Sequence, residues 1–248
     1  MLKKWSVLFL LFTFFIQGAN AQLTGNKYDK LFDLYILGDY EKCIRKAERY
    51  TNRDKTKRDP QPYLYLSQCY FAVSRDRELE EYYPRAFKNA LKHAYKVYRK
   101  GDETTLMEDN DDFFTELKQA AIEEAMYNYN LNDFRKSAYY LKKILKFDPD
   151  DHKVQLMCGV AQVRARNRRT GSDNIEEALK GLKATLEREG TIEGVGSDLI
   201  GEAMVDYTKY LMEKKRYTEA EDAIANARLI ASENAEVEQL YSEIYSDS

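Results

Sequence analysis

The chain repeats one pattern. Residues 121–151 place Ala125, Tyr129 and Leu131 at helical spacing and then turn at Asn132-Asp133-Phe134. A second helical run follows, with Ser137, Leu141, Ile144 and Leu145, and Pro149 ends it. Similar landmarks recur. Leu31, Leu34 and Leu37 precede Gly38-Asp39-Tyr40, and Cys43, Ile44 and Ala47 follow. Tyr207 and Leu211 precede Lys214-Lys215-Arg216-Tyr217, and Ala220, Ile224 and Ala227 follow. A helix-pair unit cannot bury its apolar face alone. Self-similarity at this period therefore predicts an array in which each pair packs on the next.

Two further units are less regular. One begins at Pro62 with Leu66, Ser67, Tyr70 and Val73, and its second helix is expected only at Phe87, Ala90, Leu91, Ala94 and Tyr98. Residues 74–86 then read as an insertion with room for a short extra helix. In the other, Cys158-Gly159 supplies a small residue for a helix crossing. Ile175, Ala178, Leu182 and Leu186 form its second helix after a long turn from Arg166 to Asp173.

The unit at 121–151 resembles a tetratricopeptide repeat (TPR). Ala125, Phe134, Ser137 and Pro149 match that family's small crossing residues, wedging aromatic and closing proline. Asn128 stands where the family favours an aromatic, and no unit has its tryptophan, since Trp5 is the only one in the chain. The resemblance runs from about Lys27 to Ala231, over about five units. It implies an all-α fold: a right-handed α-solenoid of about five helix pairs in residues 22–248, with the helix expected at 234–245 as a C-terminal cap.

The N-terminus points to export. Lys3 and Lys4 precede an apolar run from Trp5 to Ile16, too short to span a bilayer, and Ala19-Asn20-Ala21 is a small-x-small cleavage site. Residues 1–21 are thus expected to be a cleaved signal peptide, and the mature chain periplasmic or secreted with no membrane span. Cleavage removes two lysines and leaves 37 Lys and Arg against 42 Asp and Glu, a net charge of −5. That balance gives no overall attraction to nucleic acid. Three cysteines exclude a fully paired disulfide framework. Cys43 and Cys69 fall on neighbouring helices, either as buried free thiols or as a pair.

Chemistry is sparsely encoded. The two histidines, His93 and His152, belong to no metal-ligand or catalytic spacing. Glu108-Asp109-Asn110-Asp111-Asp112 lacks the alternation and glycine of a calcium loop. No cofactor, metal or catalytic residue is expected. By the resemblance, the first helix of each pair lines a concave groove. The partner-binding residues would then include Phe71, Ile122, Met126, Tyr129, Val160 and Val163, offered to a protein or peptide. The competing expectation is that these side chains pack against the chain itself. The alternative function is an all-α envelope enzyme, or enzyme subunit, acting on polysaccharide. It needs a pair of acids that nothing in the sequence selects.

Overall fold

A computed structural model of the protein describes residues 27–101 and 105–246. The signal-peptide expectation falls on residues outside this range. Among the described residues there are thirteen helices and no strand. They are α1 (Asp29–Ile36), α2 (Tyr40–Thr51), α3 (Gln61–Ser74), α4 (Arg77–Glu80), α5 (Ala86–Lys100), α6 (Thr105–Glu108) and α7 (Asp111–Asn130). These are followed by α8 (Phe134–Ile144), α9 (His152–Arg164), α10 (Arg168–Glu189), α11 (Asp198–Glu213), α12 (Tyr217–Ile230) and α13 (Ala235–Ser246). The short helix α4 lies within the 74–86 insertion, and His152 opens α9.

Four of the helix pairs are joined by the same turn. A helix end leaves carbonyls without partners, and one left-handed residue lets the chain fold back to satisfy them. Gly38 (φ 73°), Asn132 (φ 61°), Arg166 (φ 68°) and Lys215 (φ 58°) take that conformation. The next amide then donates to a carbonyl five residues back: Asp39 to Leu34, Asp133 to Asn128, Asn167 to Gln162 and Arg216 to Leu211, each at 2.9 Å. The left-handed residues themselves donate to Tyr35, Tyr129, Val163 and Met212. Glycine and asparagine accept this backbone readily, whereas Arg166 and Lys215 hold it at a cost of about 1 kcal/mol. A second helix starts one residue later in each case. Its fourth residue is Cys43, Ser137, Gly171 or Ala220, all small and all buried. The long turn expected from Arg166 to Asp173 is therefore corrected. Helix α10 begins at Arg168, and the turn is as short as the other three.

Small residues at these positions let backbones meet. A Cβ built on Gly159 of α9 would lie 2.8 Å from the Gly171 carbonyl oxygen of α10. A Cβ on Gly171 would lie 2.7 Å from the Gly159 carbonyl oxygen. At such distances something must shift, because the neighbouring atoms are backbone. Elsewhere, helices pack on their sequence neighbours and on the helix two places away: α1 on α2 and α3, α9 on α8, α10 and α11, and α12 on α10, α11 and α13. The terminal α13 buries Val237 and Leu240 against α11 and α12.

One buried histidine reports on this packing. His93 of α5 stacks on Tyr70 (ring centroids 5.7 Å apart) and Tyr63 (6.1 Å), both from α3. Burial, then the nearby Lys96 and Lys92, push its pKa down to about 3. The unfolded chain protonates this imidazole near its ordinary pKa of about 6.5 while the folded chain keeps it neutral. Stability is therefore unaffected above pH 7 and lost as pH falls from 6.5 toward 3, by up to about 1.4 kcal/mol per pH unit. Urea unfolding at pH 7 and pH 5 should show about 2 kcal/mol of acid loss that disappears in His93→Phe. An equal loss in both proteins would assign the acid sensitivity to other groups.

Candidate functional site

The side chains expected to line a groove lie mostly in the core. Phe71, Ile122, Tyr129, Val160 and Val163 are all buried, and Met126 alone is half-exposed. The exposed apolar strip predicted from them is thus absent. The reasons are local. In α9 all ten residues from Val154 to Val163 are buried, because α8, α10 and α11 cover it on several sides. Val163 lies against Gly171, where the α9 and α10 backbones meet. Phe71 packs its ring between Phe87 and Phe113. The connection from α10 to α11, residues 190–197, folds back onto α7 and α9. Lys153 Nζ of α9 donates to the Glu193 carbonyl at 2.7 Å, and Gly196 sits against Ile122. On other first helices, Phe32 of α1 and Met212 of α11 are exposed.

A polar network joins the first helices of three successive pairs. The Tyr129 hydroxyl of α7 donates to the Asp206 carboxylate of α11. Arg164 of α9 lies 3.6 Å from that carboxylate and 3.7 Å from Glu213. Its guanidinium also sits over the rings of Phe134 (5.1 Å) and Tyr210 (5.9 Å). Burial, then the Asp206 charge, hold the Tyr129 hydroxyl well above its ordinary pKa. The phenol therefore stays protonated and serves as a donor. Asp206 is engaged by a hydroxyl and a cation, which suits holding three helices together better than proton transfer to a substrate. Sequence reasoning picked Tyr129 for a groove and missed its partner, 77 positions away.

A cavity of about 720 Å³ opens between the end of α5, α6, α7 and the turn after α8. Val97, Leu106, Met107, Phe114, Phe147 and Pro149 give it apolar walls. At its edge Lys118 pairs with Asp148 (2.8 Å) and Asp151 (3.0 Å). Burial acts against that ammonium charge, but the two carboxylates outweigh it and raise the Lys118 pKa. Asp151 also caps α9 by accepting from the amides of Lys153 and Val154. The cavity can accept apolar groups, while its most enclosed charges are already mutually satisfied.

Cys43, Cys69 and Cys158 are free and buried. The Cys43 thiol donates to the Leu31 carbonyl oxygen at 3.5 Å. Among the described residues no group of His, Cys, Asp and Glu is arranged to hold a metal ion, and no helix is long and apolar enough to cross a membrane. No protein-family model matches the chain, and no curated protein matches it in sequence.

Proposed function

We propose that this chain is an exported, TPR-like right-handed α-solenoid that binds a protein or peptide partner as a scaffold in a cell-envelope assembly, without catalysing a reaction itself. The observation that carries this reading is the turn repeated at Gly38, Asn132, Arg166 and Lys215, each followed by a buried small residue at the same offset. A unit reused in register makes a stack with extended lateral surfaces, and such surfaces suit holding another chain. Of the six side chains first assigned to the groove, five are buried, and Met126 alone remains open to a partner.

Crosslinking in intact cells of the native host, followed by purification through a C-terminal tag, tests the proposal. The expected result is a discrete adduct with one other protein, on a chain whose first residue is Gln22. A chain recovered only uncrosslinked would overturn the scaffold reading. Purified protein that depolymerises envelope polysaccharide would replace it with the enzyme.

A further inference from the structure

The second helices of two adjacent pairs form a cationic surface in a chain whose net charge is negative. Helices α5 and α8 carry nine Lys and Arg between them and no Asp or Glu. The whole chain has 39 Lys and Arg against 42 Asp and Glu, so the remainder of the molecule is markedly acidic. On α5 the lysines fall at 88, 92, 96 and 100. Residues four apart share one face of a helix, so this row advances about 6 Å per lysine.

The two helices pack together, and their charges converge on shared rings. Lys88 of α5 and Lys143 of α8 both sit over Tyr139, at 5.7 and 5.1 Å. Lys146, just past α8, sits over Tyr95 of α5 at 5.3 Å. Lys96 and Lys100 sit over Tyr63, each at 5.1 Å. None of these lysines, nor Lys92, has an ion-pair partner among the described residues. Burial, and then the like charges of Lys92, Lys100 and Arg99, lower the pKa of Lys96. Like charges held together on a packed aromatic bed carry a standing electrostatic cost, which an arriving anion relieves.

We propose that the α5/α8 face is a docking surface for an acidic polypeptide segment, one that repeats Asp or Glu along one side. Carboxylates at every fourth position of a helix recur at about 6 Å, and those at every second position of an extended strand at about 6.6 Å. Both pitches match the α5 row. The row is built of lysines, which meet carboxylates as point charges. It lacks the guanidinium forks that favour bidentate phosphate recognition. This assignment rests on the scaffold reading and supplies the chemistry of its partner.

The test uses the full mature chain and a fluorescent 20-residue poly-L-glutamate, followed by anisotropy at 50 and 300 mM NaCl. Binding is expected at low salt and at least tenfold weakening at high salt. Lys88→Glu, Lys92→Glu and Lys143→Glu together should weaken binding at 50 mM at least tenfold with the melting temperature unchanged. If that variant does not fold, the corresponding triple Gln variant should still weaken binding about threefold or more. Equal binding by wild type and variant would overturn the proposal, as would no binding at 50 mM. So would tighter binding to phosphatidylglycerol vesicles or duplex DNA than to the peptide, since the face would then be a lipid or nucleic-acid surface. Crosslinking in cells separates the two levels. A partner still captured by the triple variant leaves the scaffold standing and removes the basic face from it. Absence of any partner for wild type removes the scaffold, while the titration still decides the chemistry of the face.

Discussion

Gly159→Val should destabilise the protein by about 3 kcal/mol, at the upper end of overpacking costs. The reason is the crossing of α9 and α10, where even one methyl on Gly159 would come within 2.8 Å of the Gly171 carbonyl oxygen and 2.7 Å of Ile175 Cγ1. A side chain there cannot rotate away, because its Cβ is fixed by the backbone and the atoms it meets include backbone. The two helices must separate, and α9 carries with it contacts to α8 and α11. For a chain of this size 3 kcal/mol corresponds to a fall in melting temperature of about 6–12 °C. Gly38→Val is the informative control. Gly38 has open space around its Cα, so any loss there reflects strained φ alone. A melting curve for Gly159→Val that overlays wild type would mean that the α9–α10 crossing is not as close as described.

Ile122→Asp should unfold the protein or cost it at least about 4 kcal/mol, whereas Met126→Asp should cost roughly 1 kcal/mol or less. The two residues lie one helical turn apart on α7 and would be near-equivalents if both faced an open groove. Ile122 is only 4% exposed, against Gly196 of the folded-back connection, so an aspartate there loses water and gains no cation. Met126 is half-exposed and its replacement can stay hydrated. Guanidinium unfolding of the two single variants reads the difference directly. Equal, small losses would return Ile122 to the surface and reopen the groove as first expected.

The local parts of this fold were legible in the sequence. Gly38-Asp39-Tyr40 and Asn132-Asp133-Phe134 announce a left-handed residue, a helix start and a wedging aromatic, and small residues three positions later mark the crossings. These signals are short-range and need only a few consecutive side chains. The third turn was misread because Arg-Asn-Arg-Arg-Thr-Gly-Ser-Asp has the composition of a loop. Its glycine, Gly171, is there for a close approach to Gly159, and not for chain flexibility.

The candidate site was much less legible. Periodicity identifies which side of α7 or α9 is apolar, but it does not say how many neighbours cover that side. Val160 and Val163 are equally apolar whether they face a groove or three other helices. Tyr129 and Asp206 meet only after the three intervening helices, α8 to α10, have folded. The basic face has the same origin. The lysines of α5 and those of α8 are each visible in the sequence, but Tyr139 brings Lys88 and Lys143 together only through packing.

The repeated turn has a consequence for how the chain reaches its fold. Helices that pack chiefly on neighbours one or two places away form most of their contacts between residues close in sequence. Little loop-closure entropy stands between the extended chain and the first stable pair, and short-range topology of this kind folds fast. In a repeat array of the kind proposed, assembly can begin at any pair and spread to both sides. The order in which the units form is then set by local stability, and need not follow the order in which they are synthesised.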